Sequence, residues 1–348
     1  MHRDLIKLGE AATYINGYAF KPDDRGKVGL PIIRIQDLTG NSYDLGFYDG
    51  DYPEKIEIND GDVLISWSAS LGVYIWNNGK ALLNQHIFKV VFDKVNIDKN
   101  YFVYAVRYKL DEMGRKTHGA TMKHIVKRDF DATEIPYPSK HEQIEIANNL
   151  KRIENIIELR SNELQLLDEL IKARFVEMFG DCSNMVLLND LCLIITDGTH
   201  QPPKFQEKGI PFILVSNLSN NTVTYNTEKY ISEETYNELY KRTPIEPGDL
   251  LLSTVGSYGH PAVVTEDIRF LFQRHIAYLR PKRELVNSFY LHSALLAPDG
   301  QRQIEEKVKG IAQKTLNLSE IRKIMIPLPK MEEQDKFAAF VHQVDKSK

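Results

Sequence analysis

Apolar residues recur at alternating four- and three-residue steps along one stretch in the middle of the chain. At its start, Ser139 and Glu142 have the spacing of a capping box, which satisfies free amides of a first helical turn. The stretch contains no internal Pro or Gly, and Gly180 supplies a stop. The pattern therefore predicts a helix over residues 139–180, roughly 60 Å long. Its seam consists of Ile146, Leu150, Ile153, Ile157, Leu164, Leu167, Ile171 and Met178.

A seam with this spacing is typical of a coiled coil and predicts partner helices, because one helix cannot bury its own seam. A second apolar row, Ile156, Leu166 and Leu170, leaves room for additional helices. Residues 330–348 begin as the long helix does, so we expect a shorter C-terminal helix that packs antiparallel to it. Either the sequence is truncated there, or a second copy of the chain completes the bundle. The alternative is an ordinary core helix inside one large domain.

The segments on either side of the predicted helix repeat each other. Residues 30–38 return as 210–218, residues 61–66 as 248–253, and residues 135–143 as 326–334. Their order is kept at an offset that drifts only from 180 to 191. Because solenoid repeats are roughly 20–50 residues long, so long a period indicates a duplicated domain. We place the first domain at residues 1–138, the helical spacer at 139–180, the second domain at 181–329 and the C-terminal helix at 330–348.

Each copy has short β-rich runs bounded by Gly, Pro, Asn and Asp, together with helical segments. The runs at 31–38, 62–66 and 81–92 predict strands in the first copy, and their counterparts do so in the second. Residues 101–113 and 288–296 predict helices, and Asn317 opens a further short one. The expected fold class is α+β, with two tandem mixed α/β domains joined by the long helix.

The composition fits a chain of two ordinary domains. With 348 residues, 42% of them hydrophobic, each copy can bury its own core without staples. Cys182 and Cys192, the only cysteines, have no ligand spacing around them, which argues against a disulfide framework or a zinc site. No run reaches the ~20 apolar residues of a membrane span, and the first residues lack a signal-peptide pattern. We therefore expect a cytoplasmic protein.

Basic residues gather in the same part of both copies although the net charge is -4. In the first copy they are Arg107, Lys109, Arg115, Lys116, Lys123, Lys127 and Arg128, and in the second Arg302, Lys307, Lys309, Lys314, Arg322 and Lys323. A basic stretch repeated in an otherwise acidic chain predicts a face that neutralises phosphates. Lys123 and Lys314, each four residues after a glycine, are candidates for shared phosphate contact, with Lys116 and Lys309 beside them. The alternative is a solvated helix flank.

Each copy also contains an ordered set of short motifs. In the first they are 17–21 (GYAFK), 29–35 (GLPIIRI) and 61–66 (GDVLIS), and in the second 197–203 (DGTHQPP), 230–232 (YIS) and 247–249 (PGD). This ordered set, with the Ile-Pro-x-Pro-x4-Gln entry into the long helix, resembles the specificity subunit of type I restriction-modification enzymes. The resemblance implies two target-recognition domains, each reading one half of a split double-stranded DNA sequence.

The resemblance also implies partners and places the cofactors with them. The helices would carry two methyltransferase subunits and, through these, the restriction subunits. S-adenosylmethionine would then belong to the methyltransferase partner, and ATP and Mg²⁺ to the restriction partner, with none held by this chain.

Base readout is expected from polar positions that differ between the copies, because a shared residue cannot distinguish two targets. Arg and Lys pair with guanine, Asn and Gln with adenine, and small hydroxyls with either. The candidates are Lys21, Arg25, Arg34, Gln36, Trp67 and Gln85 in the first copy, and His200, Lys204, Ser216, Asn217, Tyr258 and Arg274 in the second.

The sequence lacks the motifs of an autonomous enzyme. Residues 201–204 (QPPK) lack the first and last residues of an amino-methyltransferase motif, and no phosphate-binding Gly-x4-Gly-Lys-Ser/Thr loop is present. His86 and His275 recur beside apolar strands and are interpreted as hydrogen-bonded core histidines. Two alternatives stay open: a coiled-coil scaffold with two lobes that bind peptide or glycan, and an autonomous methyltransferase or nuclease. Binding that is insensitive to salt would favour the scaffold.

Overall fold

The chain forms two compact units in a computed structural model that describes residues 4–116, 125–310 and 313–348, without the side chains of residues 111 and 113–116. The first unit comprises residues 1–159 and the second residues 160–348. The division falls inside the long helix, so each unit contains one half of it. The predicted assignment of the whole helix to a separate spacer stays a prediction.

The first unit combines ten strands, within its described residues, with the helices that surround them. Its strands are β1 (Leu5–Lys7), β2 (Thr13–Asn16), β3 (Leu30–Ile33), β4 (Phe47–Tyr48), β5 (Glu57–Ile58), β6 (Val63–Ser66), β7 (Gly72–Ile75), β8 (Ala81–Leu83), β9 (Ile87–Val91) and β10 (Glu134–Pro136). Its helices are α1 (Leu8–Ala11), α2 (Ile35–Leu38), α3 (Lys99–Lys116), α4 (Lys127–Asp131) and the first half of α5 (Lys140–Phe179).

The second unit repeats the order of these strands, without a counterpart of β5 in the part of it that the structure describes. Its strands are β11 (Met185–Leu187), β12 (Cys192–Asp197), β13 (Ile210–Ile213), β14 (Tyr230–Ile231), β15 (Leu250–Ser253), β16 (Pro261–Val263), β17 (Leu271–Phe272), β18 (Ile276–Pro281) and β19 (Met325–Pro327). Its helices are the second half of α5, α6 (Leu188–Leu191), α7 (Glu233–Leu239), α8 (Ser288–Leu296), α9 (Pro298–Lys307), α10 (Leu318–Ile321) and α11 (Met331–Asp345).

Two sheets and a strand pair organise each unit in the same way. An antiparallel sheet has the order β2-β9-β6-β7 in the first unit and β12-β18-β15-β16 in the second. A second sheet contains a parallel pair, β3 with β8 and β13 with β17. A two-stranded pair, β1 with β10 and β11 with β19, leads into α5 and α11. The duplication predicted from the sequence is thus confirmed in the strand order, with β5 as an addition of the first unit.

The predicted strand over residues 31–38 is wrong in its second half. Strand β3 ends at Ile33, and residues 35–38 form a helical turn instead. The cause is local, because the Asp37 carboxylate accepts a hydrogen bond from the amide of Arg34 (2.8 Å) and so caps the turn. Asn217 does the same for the amide of Leu214 (3.0 Å). The predicted strand over residues 81–92 is likewise two strands, separated by a turn at residues 84–86.

A buried glutamine fixes the start of the last helix in each unit. The side chain of Gln143 accepts a hydrogen bond from the amide of Asp98 (2.8 Å) and donates one to the carbonyl of Pro138 (2.8 Å). Gln334 makes the equivalent bonds to Asn287 (2.9 Å) and Pro329 (3.0 Å). Both glutamines are at most 1% exposed. Each side chain therefore satisfies backbone groups that would otherwise lose solvent without gaining a partner.

The capping box predicted for α5 is present. The Ser139 hydroxyl accepts a hydrogen bond from the amide of Glu142 (3.3 Å), and the Glu142 carboxylate accepts one from the amide of Ser139 (3.0 Å). The helix ends at Phe179, one residue before Gly180. Because the cap and the terminal glycine are local signals, the long helix could be predicted from the sequence alone.

Within the second unit, α11 packs antiparallel to the second half of α5. Phe337 at the start of α11 meets Phe179 near the end of α5, with ring centroids 5.6 Å apart. At the other end of α11, Lys348 pairs with Asp168 (2.7 Å). The predicted shorter antiparallel helix is confirmed. The seam residues Leu164, Leu167, Ile171 and Met178 are partly buried, whereas Leu150, Ile153 and Ile157 are exposed.

No helix in the described part of the chain is both long and apolar enough to cross a membrane.

Replacement of Gln143 by Ala is expected to destabilise the first unit by about 1–3 kcal/mol, because two part-buried backbone groups lose their partner. Urea unfolding followed by tryptophan fluorescence measures this unit selectively, since Trp67 and Trp76, the two tryptophans of the chain, both lie in it. Asn148→Ala, an exposed amide on the same helix, is the control and should change the free energy of unfolding by less than about 0.5 kcal/mol. Equal effects of the two substitutions would contradict the role of Gln143.

Candidate nucleic-acid interface

Loops of the second unit are joined by backbone hydrogen bonds at one end of its antiparallel sheet. The amide of Arg274 donates to the carbonyl of Thr199 (3.0 Å), and the amide of Thr254 donates to that of His275 (2.9 Å). The amide of Leu316 in turn donates to the carbonyl of Thr254 (2.8 Å). We name residues 198–200, 254–258, 273–275, 309–310 and 313–316 the second loop cluster. Its backbone is held by the protein itself, so its side chains project from a defined framework.

The first unit contains the same three hydrogen bonds. The backbone amide of Gln85 donates to the carbonyl of Tyr18 (2.9 Å), and that of Trp67 donates to the carbonyl of His86 (3.3 Å). The backbone amide of Ile125 donates to the carbonyl of Trp67 (3.0 Å). We name residues 17–19, 67–70, 84–86 and 125 the first loop cluster. The repeat in the sequence is therefore also a repeat of loop geometry.

A glycine in each cluster allows two backbone segments to touch. A Cβ atom on Gly17 would lie 2.0 Å from the carbonyl oxygen of Asn84, and one on Gly198 would lie 2.3 Å from that of Phe272. No side chain fits at either position without moving the backbone. The glycines of the GYAFK and DGTHQPP motifs are thus required by close approach.

Equivalent positions of the two clusters carry different side chains. The pairs are Tyr18 and Thr199, Trp67 and Thr254, and Gln85 and Arg274. Gln85 and Arg274 are exposed, as expected for residues that reach a ligand. Trp67 is partly buried, and its ring stacks on Phe88 with centroids 5.6 Å apart. Its ring therefore belongs in part to the core, which restricts the base contact predicted for it.

The two matching histidines lie at the clusters and differ in their contacts. His86 has a positive φ of 72°, its ring lies edge-on to Trp67, and its buried Nδ1 has no hydrogen-bond partner within the described residues. Burial, followed by the charge of Arg274, lowers the pKa of His275, so that its ring is neutral near pH 7. Nε2 of His275 can then accept the hydrogen bond from Arg274 Nε (3.3 Å). The interpretation of His86 as a hydrogen-bonded core residue is wrong, because its ring is neither fully buried nor paired at Nδ1.

Tyr258, Lys314 and Glu305 form one group at the edge of the second loop cluster. The ammonium of Lys314 lies 2.8 Å from the Glu305 carboxylate and 3.2 Å from the Tyr258 hydroxyl, which also contacts Glu305. Hydrogen bonds from Lys314 and Tyr258 lower the pKa of Glu305. The predicted phosphate contact Lys314 is thus already paired, whereas the exposed Lys309 lies 3.6 Å from its nearest carboxylate, Glu320. A DNA phosphate would have to compete with Glu305 for Lys314.

A cavity of about 290 Å³ adjoins Arg274 in the second loop cluster. Its wall also includes Asp197, His275, Gln313 and Asn317, so it is lined largely by hydrogen-bonding groups. Such a lining suits a polar ligand edge more than an apolar side chain.

A second cavity, of about 500 Å³, is bordered by the His200 and Lys204 side chains. His200 Nε2 lies 2.8 Å from Asp197, and Arg242 pairs with the other oxygen of this carboxylate (2.7 Å). Lys204 is exposed. The arrangement places a histidine, a lysine and an arginine around one opening, with a single carboxylate holding two of them.

Two predicted base contacts are used inside the protein. The guanidinium of Arg34 makes a bidentate pair with Asp37 (3.0 and 3.3 Å) and also donates to the carbonyl of Asp44. Although burial opposes it, hydrogen bonding to Arg34 keeps the pKa of Asp37 below its usual range. Asn217 is buried and donates to the carbonyls of Thr224 (2.9 Å) and Asn226 (3.0 Å). These contacts argue against direct base readout by Arg34 or Asn217.

The other candidates lie on the loops beside these residues. Lys21, Gln36 and Ser216 are exposed, and Arg25 is partly buried with its guanidinium against Asp44 (3.4 Å). Gln36 and Ser216 occupy equivalent positions, each directly before the side chain that caps its turn. Their roles in DNA contact stay predictions.

Several residues of the repeated basic stretches form ion pairs with carboxylates, so the net positive charge there is smaller than the basic residues alone suggest. Lys127 pairs with Asp131, Arg107 with Glu154, and Lys323 with Glu320. Lys123 lies outside the described residues, and the side chain of Lys116 is likewise not described. The alternative of a solvated helix flank therefore applies to several members of these stretches.

Sequence reasoning missed Arg242, Thr254 and Gln313, which the fold brings to the second loop cluster or its neighbouring cavity. Alignment of the two copies gives a signal for Thr254, because it occupies the position of Trp67. Arg242 follows a helix of the second unit that has no counterpart in the described part of the first, so the repeat gives no such signal for it. Within the described residues, no group of three side chains has the arrangement of a metal site.

A family model described as "Type I restriction modification DNA specificity domain" matches residues 4–169 and again residues 183–348. The chain belongs to this family. Among relatives, the EcoBI specificity subunit of Escherichia coli is 28% identical over 97% of this chain and 78% of its own length. The MjaVIII specificity subunit of Methanocaldococcus jannaschii is 21% identical over 84% of this chain and 74% of its own length.

Solved specificity-subunit structures show the same fold. The type I restriction-modification S subunit of M. genitalium gives a TM-score of 0.56 at 15% identity, covering 99% of this chain and 90% of that structure. A structure described for complex assembly of a type I R-M system gives a TM-score of 0.55 at 18% identity, with the same coverage of both chains. The chain is thus a DNA-recognising specificity subunit, as its motifs predicted. Its two domains match recognition of a target in two parts.

Replacement of Gly17 by Ala is expected to displace the turn at residues 84–86 and to destabilise the first unit of this specificity subunit by about 1–3 kcal/mol. Tryptophan fluorescence during urea unfolding gives the free energy. Gly26→Ala is the control, because its new Cβ would lie 3.6 Å from the carbonyl oxygen of Phe47, an ordinary contact. Full tolerance of Gly17→Ala would contradict the close approach described above.

Proposed function

We propose that each unit reads one half of a split DNA target, and that its loop cluster supplies the base contacts. The observation that carries the proposal is the shared backbone framework with exchanged side chains. Three equivalent hydrogen bonds hold the same loops in both units, while the exposed positions carry Gln85 in one and Arg274 in the other. A common scaffold with different polar groups is what two readers of unlike sequences require.

The two exposed side chains have different base preferences. Gln85 can form a bidentate pair with adenine, whereas Arg274 can do so with guanine through O6 and N7. The neutral His275 ring beside Arg274 accepts from Nε of that guanidinium, so this hydrogen bond does not use the two terminal nitrogens of Arg274. We therefore assign Arg274 to a guanine in the second half of the target and Gln85 to an adenine in the first.

Lysines on the neighbouring loops provide contacts of another kind. Lys21, Lys204 and Lys309 are exposed, and a lysine acts on phosphate as a point charge without reading sequence. We assign these residues to backbone contact, with Lys314 joining them if it exchanges Glu305 for a phosphate. DNA affinity should accordingly fall as the salt concentration rises.

The outward face of α5 is assigned to the methyltransferase subunits. Ile156, Leu159, Leu166 and Leu170 lie on this face and are between 47% and 68% exposed. Large apolar side chains that are this exposed on a helix favour a partner. We propose that the helices carry two methyltransferase subunits and, through them, restriction subunits; a second copy of the chain is the alternative occupant.

The chemistry would then belong to the partners. S-adenosylmethionine would be bound by the methyltransferase subunits, and ATP and Mg²⁺ by the restriction subunits, with this chain contributing recognition alone. The purified chain, incubated with DNA, S-adenosylmethionine and Mg²⁺, should neither methylate nor cleave. Activity of the chain alone would favour the autonomous enzyme instead.

Exchange of the two reading side chains should alter the two half-targets independently. Arg274→Gln should change or relax recognition at one base pair of the second half, at a cost of about 1–3 kcal/mol for the original base. Gln85→Arg should act in the same way on the first half alone. Sequencing of methylated sites in cells that carry each variant measures both halves in one experiment.

Lys336→Ala is the control for this experiment, since Lys336 is an exposed lysine on α11 that pairs with Glu332. It should leave both half-targets unchanged. If Arg274→Gln altered neither half, or altered both together, the assignment of one loop cluster to one half would be wrong.

The double substitution of Leu166 and Leu170 by Glu should prevent binding of methyltransferase subunits. Both side chains are exposed in the isolated chain, so its free energy of unfolding should change by less than about 1 kcal/mol. Co-purification and light scattering measure the complex. Ser161→Glu, an exposed position on the opposite side of α5, is the control. Undiminished binding by the double variant would reject this face as the docking surface.

A further inference from the structure

An apolar groove of about 610 Å³ lies within the first unit, between α3 and the first half of α5. Aromatic rings from α3 form one wall, and aliphatic side chains from α5 form the other. The principal lining residues are Tyr101, Tyr104, Tyr108, Ile146, Leu150 and Ile153. Ile153 is 52% exposed and Tyr108 is 70% exposed, so the groove opens to solvent.

The second unit has the equivalent groove between α8 and α11. Tyr101 and Tyr290 correspond, since each donates a hydrogen bond to the carbonyl of the last strand residue before its helix, Pro136 or Pro327, at 2.7 Å. The buried glutamines at 143 and 334 fix the register of the two helices. Ile146, Leu150 and Ile153 therefore correspond to Phe337, Val341 and Val344.

The groove of the second unit is filled by the end of α5. The Phe175 ring lies 5.4 Å from that of Phe337 and 5.5 Å from that of Tyr290. The Phe179 ring lies 5.6 and 5.0 Å from the same two rings. In the second unit Val344 is only 7% exposed, whereas its counterpart Ile153 in the first unit is 52% exposed.

We infer that the groove of the first unit binds a partner amphipathic helix that carries two phenylalanines four residues apart, as Phe175 and Phe179 are. The duplicated groove identifies the occupant, because the same wall positions already accept such a helix in the second unit. The bound helix runs antiparallel to the first half of α5, with its phenylalanines at Tyr101 and Ile146. This binding is separate from DNA recognition by the loop clusters.

Polar contacts hold the wall of the groove in place before any helix binds. Glu154 on α5 accepts hydrogen bonds from the Tyr104 hydroxyl (2.6 Å) and from Arg107 (2.7 Å), both on α3. Burial, and next the hydrogen bond to Glu154, raise the pKa of Tyr104 to about 12. The hydroxyl therefore stays protonated and keeps α3 joined to α5, so that the groove is formed in advance.

A fluorescein-labelled peptide with the sequence of residues 163–181 tests the inference against the full-length chain. Fluorescence anisotropy should show saturable binding of this peptide. Ile153→Glu in the chain should weaken binding at least about tenfold, since a charge would be buried in the groove. Ile144→Glu, which adds the same charge at an exposed position of α5 outside the groove, should leave the affinity within about twofold, below the 1.4 kcal/mol that corresponds to a factor of ten.

A peptide with Phe175 and Phe179 both replaced by Ala is the second control and should not bind. Absence of saturable binding by the original peptide would overturn the inference. Binding that survives Ile153→Glu would also overturn it, because the peptide would then be exchanging with α5 in the second unit. Dimerisation of the chain that Ile153→Glu abolishes would assign the groove to a second copy and reject a separate partner helix.

Discussion

The loop cluster of each unit depends on a contact between two backbone segments, at Gly17 in the first unit and at Gly198 in the second. At these positions the chain passes so close to the neighbouring turn that even a methyl group would overlap a carbonyl oxygen. The contact brings the loop after the first strand of the antiparallel sheet against the turn that carries Gln85 or Arg274. The hydrogen bonds that hold each loop cluster are likewise made by backbone atoms. The exposed side chains can therefore differ between the two units without disturbing these contacts.

The duplication also separates two kinds of residue that look alike in sequence. Gln36 and Ser216 precede capping residues and face solvent, whereas the capping residues Asp37 and Asn217 point inward to the turn they close. An asparagine can read adenine or cap a turn with the same amide group. Only the fold decides between these uses, because the competing partner is a backbone amide three residues away.

Much of the fold could be predicted from sequence, but less of the site. The long helix was predictable since its cap, its seam and its terminal glycine are all local signals, and the repeat fixed the number of units. The turn at residues 35–38 was missed because a side-chain cap overrode an apolar run that favours a strand. The internal contacts of Arg34 were missed for a related reason: its guanidinium pairs with the Asp37 carboxylate and donates to the Asp44 carbonyl, and charge alone does not predict which lysines or arginines have such partners. Trp67 was predicted from sequence only as a base contact, and its stacking on Phe88 could not be foreseen because it depends on the sheet that brings those strands together.

The packing of α11 on the second half of α5 restricts the length of that half. Each residue added to an α-helix rotates all later residues by about 100°, so one residue inserted between Asp168 and Phe175 would turn Asp168 away from Lys348 if the Phe179 ring stayed against Phe337. An insertion of seven residues restores the face to within about 20°. Natural variation in this half should therefore favour whole heptads, each matched by about 10 Å of additional length in α11.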